Sequence, residues 1–267
     1  MATKAELDFV VRECVQLTPS YSLLTLAYNP HGGLQGDVGF DFSIIRPGQF
    51  VQVRIDGCSN TFLRRPISIS FVDVAAKEIQ LLVRRAGEGT DWLCSRNKGD
   101  CVNVILPLGN GFFLEQAGRK PLLVGGGVGV APLLYLGKVL KDAGITPTFL
   151  LAAKTAEDLL LTERFRQYGE VIISTDDGTA GAPGLVTSNP ALELSWSHMY
   201  VCGPKPMMVA LARLAGEKGV ECEVSLENTM ACGLGACLCC VEDTKEHGNV
   251  CVCTDGPVFN ARDLKWI

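Results

Sequence analysis

Cys232, Cys237 and Cys240 stand in C-x4-C-x2-C order, and Cys251 and Cys253 follow after a polar loop. Three cysteines at that spacing, with a fourth further on, hold a plant-type [2Fe–2S] cluster. Six of the chain's twelve cysteines fall in this one stretch, Met230 to Phe259 (MACGLGACLCCVEDTKEHGNVCVCTDGPVF). Gly233 and Gly235 would let the inner loop bend tightly and turn its N–H groups toward sulfur. A zinc staple or a buried thiol cluster are the competing readings, but structural zinc favours short C-x2-C-like knuckles, which a C-x4-C opening fits less well. The fourth ligand stays open at this level. Cys251 and Cys253 are two apart, so on an extended strand both would face the same side. Cys239, next to Cys240, would point away from whatever Cys240 binds.

Two glycine-containing junctions could handle phosphate. Gly125-Gly126-Gly127-Val128-Gly129-Val130-Ala131-Pro132 joins an apolar run to a helical pattern. Glycines there let the backbone approach a pyrophosphate, and the following helix N-terminus favours its charge. Read from Gly127 the pattern is G-x-G-x-x-P, with Pro132 at the start of the helix. Cys202-Gly203-Pro204 is a second such junction, at the carboxyl end of a later strand, where open α/β sheets bind ligands. Either could instead be a plain turn with a proline-initiated helix.

Further upstream, Arg64-Arg65-Pro66-Ile67-Ser68 lies in an apolar strand and could face an anion. Gly87-Glu88-Gly89-Thr90 opens a short helix whose free N–H groups and Thr90 hydroxyl could supply a second phosphate contact. Solvated arginines and a simple N-cap are the bland alternatives. Asp176-Asp177-Gly178 reads as a solvated loop. His31, His198 and His247 share no motif, and each reads as a surface or satisfied histidine. No nucleophile–base signature for hydrolysis is present.

The elements that must position these residues fall into two groups. Strand-like runs at 7–15, 20–28, 49–55, 62–71, 78–85 and 101–106 are separated by turn signals at Pro47-Gly48, Asp56-Gly57 and Lys98-Gly99-Asp100. Asn29 to Gly39 is a Gly-rich loop, and residues 90–95 form one helical turn. Short strands at this spacing predict a small antiparallel β-barrel. After Gly118 strands alternate with helices: strand 121–124, helix 132–143 capped by Gly144, strand 147–153, helix 156–168, strand 170–174, a weak helix near 185–194, strand 198–202, helix 204–218 and strand 220–226. That order predicts a parallel α/β sheet. The fold class is therefore all-β plus α/β: an N-terminal barrel over 1–115, an α/β domain over 116–226, and a cysteine segment over 227–267 hanging off the last strand.

The chain has 267 residues, long enough for a core in each domain. A formal net charge of −5 gives no basic footprint, so no nucleic-acid partner is expected. The N-terminus MATKAELDF has no apolar h-region, so no secretory signal is expected, and clustered cysteines in a cytoplasmic chain point to metal or redox work. The uncharged run Pro121 to Gly137 is rich in glycine and reads as a buried strand–loop–helix, not a membrane span.

Taken together these stretches resemble the ferredoxin–NADP reductase superfamily. R-P-I-S (65–68) is similar to its R-x-Y-S flavin motif, and G-x-G-x-x-P (127–132) and C-G-P (202–204) are similar to its pyridine-nucleotide motifs, in the expected order. LENTMACGLGACLCCV with CTDGPVF resembles the electron-transfer subunits of NAD-dependent (class 1B) dihydroorotate dehydrogenases. The resemblance covers essentially the whole chain and implies an FAD-binding barrel, an NAD-binding domain and a [2Fe–2S] segment. It implies FAD contacts at Arg65, Pro66, Ile67, Ser68, Leu82, Val83 and Arg84, with Gly89 and Thr90 on the pyrophosphate. Ile67 stands where many members carry the tyrosine that stacks on the flavin. The resemblance further implies nicotinamide-nucleotide contacts at Gly127, Gly129, Pro132, Cys202, Gly203 and Pro204. It places the fourth cluster ligand directly before x-D-G-P, which selects Cys253 to complete the set Cys232, Cys237 and Cys240.

The function so implied is electron transfer in pyrimidine biosynthesis. An FMN-containing partner oxidises dihydroorotate, and this chain passes the electrons through the [2Fe–2S] cluster and FAD to NAD⁺, within an α2β2 heterotetramer in the cytoplasm. No general acid or base is expected, because clusters move one electron, nicotinamide takes two and flavin does both. The alternatives are the flavin/iron–sulfur subunit of an NAD(P)H–ferredoxin or sulfide reductase, and a zinc-stapled nucleotide-binding module without enzymatic activity.

Overall fold

The computed structural model describes residues 4–29 and 39–267. His31 and most of the expected Gly-rich loop lie outside the described residues. Six strands close into a barrel: β1 (Ala5–Thr18), β2 (Tyr21–Tyr28), β3 (Phe50–Val53), β4 (Arg65–Asp73), β5 (Glu78–Arg84) and β6 (Cys101–Leu108), in the order β1-β2-β5-β4-β3-β6, all antiparallel. Alternation supplies the interior. Leu7, Phe9 and Val11 of β1, Leu24 and Leu26 of β2, and Ile79, Leu81 and Val83 of β5 all point into one core. Closure pairs every strand on both sides over part of its length. A short helix, α1 (Glu88–Cys94), lies between β5 and β6 and contributes Leu93 and Cys94 to that core.

β3 shows why alternation matters for the site. Val51 and Val53 face the barrel interior, whereas Phe50 joins the core of the second domain. Gln52 lies on the same outward face as Phe50 and is fully buried.

The second domain is a sheet of order β10-β9-β8-β7-β11-β12-β15. Its strands are β7 (Pro121–Gly126), β8 (Thr148–Ala153), β9 (Glu170–Thr175), β10 (Ala182–Pro183), β11 (His198–Cys202), β12 (Cys222–Ser225) and β15 (Val258–Asn260). All pairings are parallel except β12 with β15. The helices are α2 (Ala131–Asp142), α3 (Thr162–Arg166) and α4 (Lys205–Glu217). β7 and β11 are buried along their whole lengths, as strands covered on both faces are. The two domains meet through α2, where Tyr135 enters the barrel core and packs edge-on against Phe71 of β4 at 6.0 Å.

Three expectations are corrected. The helix expected over 156–168 is broken: a 3-10 turn covers Ala156–Asp158, Leu161 turns left-handed at φ 58°, and α3 begins only at Thr162. Leu160 is buried in the same core as Phe165, and the chain breaks its helix to place both there. The weak helix near 185–194 is two 3-10 turns, Val186–Ser188 and Pro190–Glu193, because Asn189 caps the second through Ala191 N–H and ties back to Ser174. The cysteine segment follows the last parallel strand, as expected, and the correction is that it folds back on the sheet. It forms a hairpin of β13 (Val241–Thr244) and β14 (Gly248–Cys251), then returns as β15 to pair antiparallel with β12. Among the described residues no helix is long and apolar enough to cross a membrane.

Candidate functional site: a thiol loop, a split barrel wall and a nucleotide cleft

The thiol loop is organised by backbone N–H groups that donate to sulfur. Leu234 N–H donates to Cys232 Sγ at 3.3 Å, Gly235 N–H to Cys253 Sγ at 3.2 Å, Cys253 N–H to Cys240 Sγ at 3.4 Å, and Cys232 N–H to Cys237 Sγ at 3.5 Å. Gly233 and Gly235 make this possible by turning left-handed, at φ 68° and 85°. The Leu234 N–H, with those around it, holds the Cys232 thiol down at about 6, where the thiolate forms readily. Burial, followed by the hydrogen bond with Cys240, pushes Cys253 up to about 12. Cys240 and Cys253 are buried, Cys232 is partly open and Cys237 exposed, so the loop has an inner and an outer pair of sulfurs.

Cys251 is set apart. The extended strand on which both would face the same side is not formed, because β14 ends at Cys251 and the chain turns. Thr254 and Asp255 N–H both donate to Cys251 O, and the Asp255 carboxylate accepts from Cys251 N–H. Cys239 is exposed. All twelve cysteines are free thiols. Among the described residues no three His, Cys, Asp or Glu side chains converge on a single ion. A mononuclear zinc staple asks for such convergence, whereas in a four-cysteine [2Fe–2S] centre each iron takes two thiolates. The donor set fits the cluster.

The barrel wall opens beside this loop. β4 pairs with β5 only from Ile69↔Leu81 to Asp73↔Glu78, and residues 65–68 pair only with β3. β5 continues along β2 to Arg84↔Tyr21. Residues 65–68 and 82–84 thus diverge, each without a ladder partner on the side facing the other. Pro66, Ile67 and Ser68 are partly open there. Leu82 and Val83 are fully buried, while Arg84 is exposed.

At the end of the gap Arg65 lies over α1. A Cβ on Gly89 would stand 2.7 Å from its Nε, so only glycine lets the guanidinium rest on the helix start. The guanidinium and the unpaired N–H groups of the first helical turn together fit an anion. Thr90 contributes main chain only, because its hydroxyl donates to Gly87 O and accepts from Ala86 N–H, both at 2.9 Å. Arg64 is already engaged: it binds Glu6 at 2.7 Å and Asn103 Oδ1 at 2.6 Å.

The two glycine junctions lie at the carboxyl ends of β7 and β11. Gly127–Val130 forms a 3-10 turn before α2, with Pro132 in the first helical turn. A Cβ on Gly129 would stand 2.4 Å from Cys202 O, so the two junctions pack directly together. Gly203 is buried and Pro204 exposed. Cys202 is itself buried, and burial, then the Glu227 carboxylate, raises its thiol pKa, which the Ser225 hydrogen bond partly offsets. The Asp177 carboxylate is bonded to the Thr179 N–H and hydroxyl within its own turn. His198 is fully buried, with Nε2 3.1 Å from Glu223 Oε1, and His247 sits in the β13–β14 turn.

Three residues outside the expected set belong to the site. Tyr21 places its hydroxyl 3.5 Å from where a Cβ would stand on Gly127. Glu227 is open to the cleft yet surrounded by protein, which raises its pKa against the pull of Arg84. Gln52 lies under the thiol loop. None sits in a motif; cross-strand register brings Tyr21 to Arg84 and Gln52 to Pro66.

A barrel with a split wall, a parallel sheet with a glycine-rich cleft and a four-thiol loop define a flavin- and nucleotide-linked electron-transfer protein. The sequence model for the iron–sulfur cluster binding domain of dihydroorotate dehydrogenase B matches residues 227–265. The chain is 43% identical over 220 residues to the dihydroorotate dehydrogenase B (NAD(+)) electron transfer subunit of Shouchella clausii, covering 80% of this chain and 84% of that one. It is 42% identical to the same subunit of Geobacillus sp. (strain WCH70), covering 82% and 86%. The structure also superposes on that of an NADH-dependent reduced ferredoxin–NADP oxidoreductase, with a TM-score of 0.83 and 28% identity, over 100% of this chain and 92% of that one. This chain belongs to the family of dihydroorotate dehydrogenase B electron transfer subunits.

Proposed function

We propose that this chain carries electrons from a dihydroorotate-oxidising partner through a [2Fe–2S] cluster and FAD to NAD⁺, in pyrimidine biosynthesis. The observation that carries the reading is the thiol loop, whose four cysteine sulfurs each accept a backbone N–H. That loop rests on β3, one strand from the split in the barrel wall.

Cys232, Cys237, Cys240 and Cys253 hold the cluster. Arg65 and the α1 N-terminus, with the main chain of Gly89 and Thr90, hold the FAD pyrophosphate. Pro66, Ile67 and Ser68 on one side and Leu82, Val83 and Arg84 on the other line the flavin. Gly127, Gly129 and Pro132, with Cys202, Gly203 and Pro204, form the NAD cleft. When bound, the cluster supplies one-electron steps and the flavin joins them to the two-electron chemistry of nicotinamide. The chain's own residues bind and orient these groups; passing a hydride on requires one proton to be taken up with the two electrons, and no side chain is assigned as general acid or base. Residues 1–115 serve the flavin, 116–226 the nucleotide and 227–267 the cluster.

The partner is the catalytic subunit, with FMN and an α2β2 assembly following from the family resemblance. Leu234 and Leu238 are exposed, at 46% and 65%, on the loop that carries the outer sulfur, and they form the apolar part of the docking face. Twelve free thiols suit a reducing cytoplasm.

A second reading, a subunit of an NAD(P)H–ferredoxin oxidoreductase, is favoured by the superposition on such an enzyme over the whole chain. The test is dihydroorotate-dependent NAD⁺ reduction by the complex this chain forms in its own host, with the isolated chain as control. Activity in the complex alone supports the first reading. Ferredoxin-linked NADPH turnover without dihydroorotate activity replaces it with the second.

A further inference from the structure

Gln52 is fully buried on β3, and neither its Nε2 nor its Oε1 has a hydrogen-bond partner among the described residues. A buried primary amide with nothing to bind is costly and calls for an explanation. Its surroundings supply one. The carboxamide lies against the thiol loop, where a Cβ on Gly233 would stand 2.5 Å from Nε2. Gly233 follows Cys232 directly, and its left-handed turn, φ 68°, brings the loop main chain down onto the amide. On its other side Gln52 is the cross-strand partner of Pro66, in the strand that forms one lip of the split wall. It therefore joins the thiol loop to the flavin strand.

We propose that Gln52 is a tuning residue of the iron–sulfur centre: its amide N–H donates to a sulfide of the cluster and holds the reduction potential up. Sulfur only accepts, so it engages the NH₂ end, the end nearer Gly233. A donor to sulfur stabilises the reduced, more negative centre, and cluster potentials respond to such hydrogen bonds. This rests on the cluster reading above, and the test separates the two.

The experiment is a redox titration of the purified chain, followed by electron paramagnetic resonance, in wild type, Gln52→Met and Gln52→His. Methionine matches the length of glutamine and fills the space without a donor; histidine restores an N–H. The expected result is a cluster midpoint shifted to more negative values in Gln52→Met and partly recovered in Gln52→His, with FAD content and flavin midpoint unchanged. Wild-type midpoints in both variants would overturn the proposal, as would loss of the cluster from both with FAD retained, which would make Gln52 a packing residue. A wild-type chain without a cluster signal would overturn the cluster reading itself. A second readout is independent of potential. In the cluster-free chain Gln52→Met should melt at a higher temperature than wild type, because it removes an unpaired buried amide; a lower melting temperature would mean that the amide has a partner within the protein.

Discussion

The N–H of Gly235 donates to the Sγ of Cys253 at 3.2 Å, joining the inner turn of the thiol loop to a cysteine 18 residues further on. Among the described residues no such bond reaches Cys251, whose main chain is taken up by Thr254 and Asp255. Cys253→Ser should therefore abolish the visible absorption and paramagnetic signal of the cluster, whereas Cys251→Ser should keep both. Cys232→Ser should also lose the cluster while retaining FAD, since the flavin site is built from other strands. FAD lost in proportion to the cluster would make the loop a structural part of the barrel.

Arg65 and Gly89 form one anion site, so two unlike substitutions should have one effect. Arg65→Ala removes a charged donor, worth about 1.5–3 kcal/mol, and should weaken FAD binding roughly 10- to 100-fold. Gly89→Ala places a Cβ 2.7 Å from Arg65 Nε and should displace the guanidinium, with a loss in the same range. Fluorescence titration of the FAD-stripped protein measures both.

Arg64, its neighbour, should behave differently. Its bonds go to Glu6 and Asn103, and its side chain is 19% exposed. Arg64→Ala should cost about 1–2 kcal/mol of stability in urea unfolding and leave FAD affinity unchanged.

Glu223 and Tyr200 hold the two main-chain polar groups of one residue, Phe113. Glu223 Oε2 accepts from Phe113 N–H at 3.0 Å, and Tyr200 Oη donates to Phe113 O at 2.9 Å. Phe113 lies on the link between the barrel and the sheet. Glu223→Ala leaves the part-buried Phe113 N–H without its acceptor and removes the carboxylate beside His198, so about 1–3 kcal/mol should be lost. That corresponds to a Tm lower by roughly 2–10 °C. Tyr200→Phe should cost about 1 kcal/mol.

The Glu227 carboxyl is raised above its ordinary value of 4.5 by the protein around it, with Arg84 pulling the other way. The folded state then holds this proton to higher pH than the unfolded state, so stability falls as pH rises from the unfolded value through the folded one. Glu227→Gln removes that loss. The variant should melt above wild type at pH 7, with the difference closing below pH 4.5. Its carboxylate is open to the cleft, so solvent screens the effect.

The barrel and the sheet were legible in the sequence because both leave strong period signals. Inward Leu7, Phe9 and Val11 alternate with outward residues, and the glycine junctions fall between strand and helix as expected. The cysteine spacing carried the thiol loop. What sequence could not carry was set by distance along the chain. Gln52 reads as an ordinary strand residue until Gly233 is laid on it. Tyr21 joins the site only through its register with Arg84. Leu161 breaks a helix whose local pattern is sound, because Leu160 and Phe165 are wanted in one core. The Cys251–Cys253 ambiguity came from assuming a strand where the chain turns.

β12 delivers the chain into the thiol loop and β15 brings it back to pair with β12 itself, Ser225 opposite Val258. The loop is thus stitched to the sheet at both ends, and Lys265 and Leu264 are further tied to β13 through Asp243 and Thr244. The cysteines are therefore anchored to the sheet on both sides, and a change near the C-terminal end of the chain would be felt at the sulfurs.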